Sequence, residues 1–280
     1  MAITGDGAAP VQSPSRLSEH DALTLLRSGE LELEGRLVDA SNTTLRAFVS
    51  LDGVTVRCVY KPISGERPLW DFPDGTLAGR EVSAYLVSAA SGWDLVPPTL
   101  LREEGPLGPG MCQLWIDEPE AAQPLVGFVP ASQLPTGWKR IASAQDEDGN
   151  PYSLAHADDP RLARLAVLDI VINNADRKGG HVLIGADDRV YGVDHGVTFN
   201  VEPKLRTVLW GWTGGGLPDD AVDVLGRLTG DLRNSLGGAL REHLTGAEVA
   251  RVRGRVRRLL ESASFPEPGT DWPSVPWPPM

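Results

Sequence analysis

Asp176 and Asp194 sit in the segment of this 280-residue chain richest in groups able to do chemistry, DIVINNADRKGGHVLIGADDRVYGVDHGVTFN, residues 169–200. An apolar helix, a polar loop, a short strand, a turn at Asp187-Asp188, a second short strand and then Asp-His-Gly follow one another there. Phosphoryl transfer asks little covalent help of a protein. It needs a carboxylate to orient the attacking hydroxyl, and oxygen ligands to hold divalent metal on the β and γ phosphates. Asp176, in a loop just after a rigid helix, suits the first role; Asp194, at the end of a hairpin, suits the second.

The segment resembles the catalytic and metal-binding loops of the phosphatidylinositol 3/4-kinase-like superfamily, in particular those of type II phosphatidylinositol 4-kinases and HipA toxin kinases. The family's Asn-x-Asp-Arg loop is matched by Asn174-Ala175-Asp176-Arg177, and its Asp-x-Gly metal motif by Asp194-His195-Gly196. Upstream, Val59-Tyr60-Lys61-Pro62 looks like the strand carrying the phosphate-binding lysine, and Arg80 to Leu86 like the helix whose glutamate, Glu81, pairs with it. Leu95-Val96-Pro97-Pro98 and Gly110 to Ile116 look like the strand and hinge that follow. The resemblance covers residues 31–215 in the family's order.

The resemblance implies a bilobal protein-kinase-like fold that binds ATP with Mg2+ or Mn2+, with Asp176 and Lys61 as catalytic residues. Lys61 supplies a point charge for the α and β phosphates, and Glu81 holds its ammonium in one rotamer. The loop Ser41, Asn42 and Thr43 replaces a glycine-rich phosphate cradle, although the same residue types serve any hairpin turn. Gln113, Leu114, Trp115 and Ile116 form the hinge that meets adenine, or else an ordinary core strand. Lys178, Arg206, Trp210 and Trp212 are candidates to face the acceptor, and packing of the two indoles against the body is the plainer alternative.

One position departs from the family. Five residues after Asp176 the related kinases usually carry an asparagine that ligands a second metal, and here that residue is His181. Imidazole is a poor ligand for magnesium but tolerates manganese. His181 therefore points to manganese preference, to a single strong metal site, or to loss of ordinary turnover. His195 and Asp169 read as structural, the latter as a brace for the loop.

The elements that must position these groups are legible from periodicity. Ser18, Asp21 and an apolar run ending at Gly29 predict a short capped helix. Alternation at 31–37, 45–49 and 54–60 predicts three antiparallel strands. Residues 79–90 have helical spacing, while Leu95-Val96 and Met111 to Ile116 are expected as two more strands. Residues 117–159 are acidic and turn-rich, and are expected to lead into the helical part. Residues 161–172 are apolar on nearly every side, the pattern of a buried helix, and further helices are expected near 219–228, 231–243 and 246–262. This order gives an α+β fold, a small antiparallel-sheet N-lobe at 18–116 and a mainly helical C-lobe at 117–265. Flexible ends are expected at 1–17 and, as a proline-rich tail that Trp272 and Trp277 can dock, at 266–280.

Composition narrows the partners. A net charge of −12 repels polyanions, so no nucleic acid is expected. No apolar run reaches the ~20 residues of a membrane span, so no stable membrane insertion is expected and the protein reads as cytoplasmic. Cys58 and Cys112 lie in apolar strands and read as reduced, buried thiols. The expected function is transfer of phosphate from ATP to a hydroxyl of a protein or small soluble acceptor. A phosphoinositide lipid kinase and a nucleotide-binding pseudokinase or repurposed kinase fold are the alternatives.

Overall fold

The computed structural model describes residues 11–12, 17–37, 42–145 and 148–280. The chain divides into two compact units: the first holds the described residues up to Arg67 together with Pro98–Asp117, the second Pro68–Pro97 and Glu118–Met280.

In the first unit, helix α1 (Glu19–Ser28) is capped by the Ser18 hydroxyl, which accepts from the Asp21 amide. Five strands follow: β1 (Glu30–Arg36), β2 (Leu45–Leu51), β3 (Val54–Pro62), β4 (Thr99–Arg102) and β5 (Gly110–Leu114). They form one antiparallel sheet in the order β1-β2-β3-β5-β4. Alternate residues of β2 and β3 turn inward, so that Ala47, Val49, Val56, Cys58 and Tyr60 pack with Cys112 under Leu25 and Leu26 of α1. Both cysteines are free and buried. Burial pushes the Cys112 thiol up to about 12 and raises that of Cys58 as well, which keeps them protonated and inert.

One strand lies where the sequence did not place it. Leu95 and Val96 are not in the sheet; their amides donate to the Ser88 hydroxyl, and β4 begins only after the two prolines. Proline has no N–H to give a ladder, so pairing starts once Pro97 and Pro98 are passed.

The second unit contains α2 (Leu77–Ser91), capped by Thr76 and ended by Gly92 in the left-handed region. It also contains α3 (Pro160–Ile172), α4 (Ala221–Asp231), α5 (Ser235–Leu240) and α6 (Gly246–Ser262), with α2 packed on α3, α4 and α5, and α6 on α3 and α4. α3 starts at an Asp159 cap with Pro160 in its first turn, is buried on almost every side, and stops at Asn173 in the left-handed conformation. α6 opens on a reciprocal Thr245–Glu248 capping box.

Residues 117–159, expected as a turn-rich crossing, instead hold a three-stranded antiparallel sheet. Its strands are β6 (Val126–Pro130), β7 (Trp138–Gln145) and β8 (Pro151–Ala157), in the order β6-β8-β7. A final hairpin, β9 (Val182–Ile184) and β10 (Val190–Gly192), carries the chain from the first aspartate loop to the second.

Candidate active site

Every group of the Asp176–Asp194 segment lies in the second unit, and the loop is fixed before any ligand arrives. Asn173 closes α3 by donating from Nδ2 to the carbonyls of Asn200 and Glu202. Asn174 then forms a local turn: its Nδ2 donates to Asp169 Oδ1 at 2.9 Å, and its Oδ1 accepts from the Asp176 amide at 3.0 Å. Asp176 is thereby held at the loop tip. Arg206 Nη2 stands 3.4 Å from one of its carboxylate oxygens and Lys178 Nζ 3.5 Å from the other.

Behind the tip lies Arg177, fully buried. Its guanidinium donates to both oxygens of Asp169, which is also fully buried, with the closest approach 2.9 Å. It also donates to the carbonyls of His181 and Val193, and to His195 Nε2 at 2.6 Å. Because arginine can only donate, His195 accepts through Nε2 and is protonated on Nδ1. The His195 amide in turn donates to Glu81 Oε2 at 2.8 Å. Asp169, Arg177, His195 and Glu81 thus form one buried chain that ties the Asp176 loop, the Asp194 loop and α2 together. Asp169 braces the loop, and His195 is a structural member of this chain.

Asp194 itself adopts a left-handed backbone, φ 60°. Aspartate tolerates that region better than most residues, and the turn leaves its side chain half-exposed while His195 points inward. His181 Nε2 lies 3.6 Å from Asp194 Oδ2. Burial pulls the imidazole below its ordinary value, more than the nearby carboxylates of Asp194 and Asp176 lift it. His181 Nδ1 accepts from the Lys178 amide at 3.5 Å, so the neutral ring carries its proton on Nε2, the atom that faces Asp194.

Among the described residues no group of three or more His, Cys, Asp or Glu side chains converges as a metal cluster. A kinase metal needs no such cluster, because phosphate oxygens and water complete its shell. Half-exposed Asp194 offers an oxygen ligand that fits a divalent cation, and His181 beside it would add a nitrogen, which suits manganese better than magnesium, once Nε2 gives up its proton.

In the first unit, Lys61 occupies β3 opposite Met111. Ser41 lies outside the described residues. Asn42 Oδ1 accepts from the Arg67 amide, and the Thr43 amide donates to the Gly65 carbonyl. The Gln113 side chain is buried and donates to Thr99 Oγ1 across the sheet, while the amides of Leu114 and Trp115 donate to Pro98 and Arg57. Ile116 lies two residues past the end of β5.

Trp210 and Trp212 are anchored in the second unit. Trp210 Nε1 donates to the Ser274 carbonyl, and Trp212 Nε1 to Asp158 at 2.7 Å, with its ring against His156 and Phe265. The 266–280 segment is docked through backbone bonds at Ser274 and Pro279, the latter accepting from the Gly179 amide beside the Asp176 loop; Trp277 stays exposed. What sequence reasoning missed is the central place of Arg177, which the Asn-x-Asp-Arg match names without showing what it holds.

No protein-family model matches the chain. It is 48% identical over 266 residues to Protein Rv2133c of Mycobacterium tuberculosis, covering 92% of this chain and 95% of that protein. Among solved structures it is similar to hydra Fam20 with sugar, at 14% identity and TM-score 0.51, covering 87% of each chain. It also matches the Golgi casein kinase with Mn/ADP bound at 12% identity and TM-score 0.48, over 88% of this chain and 75% of that one. The likeness to hydra Fam20 shows the fold: kinase-like, with an antiparallel sheet in the N-terminal region and a helical C-terminal part, as the sequence led one to expect.

Proposed function

The chain belongs to the family of Protein Rv2133c of Mycobacterium tuberculosis, and from that footing we propose that it is an ATP-dependent phosphotransferase acting on a hydroxyl of a protein or small soluble acceptor. The observation that carries this reading is that the Asp176 loop and the Asp194 loop are pinned by one buried network, with His181 3.6 Å from Asp194. A kinase-like fold with Lys61, Glu81, Asn174-Ala175-Asp176-Arg177 and Asp194-His195-Gly196 in sequence order also supports membership in the phosphatidylinositol 3/4-kinase-like superfamily.

Asp176 accepts the proton-bearing side of the acceptor hydroxyl and points its oxygen at the γ phosphorus. Lys178 and Arg206 restrict the rotamers of Asp176 and lend positive charge near the equatorial phosphate oxygens. Asp194 and His181 would hold the divalent cation, which when bound neutralises charge on the β and γ phosphates. Lys61 serves the α and β phosphates, with residues 41–43 and 113–116 as the remaining nucleotide contacts. Glu81 fixes the Asp194 loop through the His195 amide, a second duty beside its expected pairing with lysine.

A soluble acceptor is favoured over a lipid because both indole N–H groups of Trp210 and Trp212 are already engaged by protein acceptors. Among the described residues no helix is long and apolar enough to cross a membrane. We place the activity in the cytoplasm.

The test is transfer from γ-labelled ATP, or ATP turnover, with magnesium and with manganese. Asp176→Asn and Asp194→Asn should each lower the rate by roughly 10²–10⁴-fold, the usual worth of a positioned catalytic carboxylate, while circular dichroism stays unchanged. His181→Asn should raise the magnesium-supported rate relative to the manganese-supported one. Full activity in the double aspartate variant would overturn the assignment.

A further inference from the structure

A groove of about 870 Å³ opens in the second unit between α6, residues 201–210 and residues 264–272. Its lining includes none of Asp176, His181 or Asp194. Arg251, Arg255 and Arg258 of α6 enter it from one helix face, since positions three and four apart are neighbours on a helix. Three like charges so placed repel one another unless something offsets them. Of the lining carboxylates, Glu261 pairs with Arg257 at 3.7 Å, and no ion pair joins Glu261 or Glu267 to Arg251, Arg255 or Arg258 among the described residues.

Two donors in this groove are left over. Arg255 is 8% exposed; its Nε donates to the Val171 carbonyl at 2.8 Å and its Nη1 to that of Asn200 at 3.4 Å, but Nη2 is buried without a partner. Trp272 Nε1 is likewise buried and unpartnered. Buried N–H groups are paired in the great majority of cases, and an orphan calls for a missing acceptor. Lys204 Nζ lies 4.0 Å from the centre of the Trp272 ring but is already paired with Asp71 at 2.9 Å, so the uncompensated charge of the groove is that of the α6 arginines. Burial, and then Arg258 and Arg251, bring the Arg255 guanidinium down to about 9 against a smaller opposing pull from Glu248, which is itself paired with Arg80.

A partner for such a site must offer acceptors and no donors, carry more than one negative charge, and fit a cavity of small-molecule size. We propose that the groove is a binding site for a multiply phosphorylated small molecule. A phosphate takes the two free donors of Arg255 and Trp272, while Arg251 and Arg258 flank it from the rim. Guanidinium and phosphate match in geometry as well as charge. The site is separate from the proposed nucleotide site, and Arg255 reaches from it to the last turn of α3, from which the Asp176 loop springs.

Isothermal titration of the full chain with inorganic pyrophosphate, at low salt, tests this. Arg251 and Arg258 are exposed, so Arg251→Ala/Arg258→Ala should leave the fold intact and weaken binding by roughly tenfold or more, the effect of losing charge-assisted hydrogen bonds. Trp272→Phe, which keeps the ring but not the N–H, should weaken it too. Asp194→Asn should bind as the wild type does. Three results would overturn the proposal: no pyrophosphate binding, equal binding by the arginine pair variant, or binding abolished by Asp194→Asn. Sedimentation with phosphatidylserine vesicles by a protein that ignores pyrophosphate would assign the arginines to a lipid surface and also overturn it.

Discussion

Arg177 shows how much of the proposed site rests on a residue buried behind it. Its guanidinium has no exposed surface and links a helix carboxylate, two loop carbonyls and an imidazole. A buried ion pair is a weak source of net stability, but deleting one partner strands the other charge in a low-dielectric interior. Asp169→Ala should therefore destabilise the protein by about 3–5 kcal/mol, read as a lower denaturant midpoint, and should lower activity as both aspartate loops loosen. Arg177→Lys should fall short of rescue, because an ammonium cannot reproduce the planar fork that serves Asp169 and His195 together. A loss no larger than the ~1 kcal/mol of a surface ion pair in Asp169→Ala would show that the network is not what holds the loop. Asp176 and Asp194 could be singled out from the sequence because each motif is local. The role of Arg177 was not, since its acceptors come from residues 169, 181, 193 and 195, and only folding brings them together.

The sheet β6-β8-β7 presents the opposite case, an element that the sequence concealed and that a histidine makes testable. β7 buries no residue fully, and the hairpin between β7 and β8 is written QDEDGNP, so composition across the segment reads as solvent-exposed turn. Periodicity could find the helices and β1–β3, where one face is apolar, but not strands whose cover is supplied by a distant turn. That cover is the turn of residues 210–212. His156, fully buried in β8, contacts the Ala157 carbonyl through Nδ1 at 2.8 Å and accepts the Gly211 amide through Nε2 at 3.0 Å, which defines a neutral Nδ1–H tautomer. A side chain at 211 would collide with the imidazole and with Lys139, so only glycine allows the approach. Burial lowers the affinity of His156 for a proton. The unfolded chain, titrating near 6.5, takes up the proton first as pH falls, so stability present above that value is lost below it. His181 and His243, both partly buried, shift in the same direction. The melting temperature should fall from pH 7.5 to pH 5, with a limiting slope of about 1.4 kcal/mol per pH unit for each differential proton. His156→Gln, which retains an acceptor for Gly211, should flatten that dependence. An unchanged slope would remove His156 from the account.

The chain passes between its two units three times, after Arg67, Pro97 and Asp117, so the helical unit is not a contiguous stretch of sequence. The consequence falls on α2, whose segment precedes the sheet strands β4 and β5 but whose side chains pack on α3, α4 and α5. Most residues of α2 are buried, including Ala84, Tyr85 and Val87. Two of its charged groups complete pairs made with the rest of the unit: Arg80 meets Glu248 at 2.6 Å, both almost fully buried, and Glu81 holds the His195 amide. A fragment beginning at Glu118 would contain all the helices after α2, yet it would strand Glu248 without its cation, at a cost of about 3–5 kcal/mol. It would also expose the apolar faces that α2 covers. Against a total stability of roughly 5–15 kcal/mol for a whole domain, those losses are decisive. Residues 118–280 expressed alone should bind a hydrophobic dye, lack a cooperative thermal transition and show poor amide dispersion, where the full chain does none of these. Supplying residues 68–97 as a separate peptide should restore part of the transition. A well-dispersed, cooperatively unfolding 118–280 fragment would show that α2 is an accessory to the helical unit rather than part of its core.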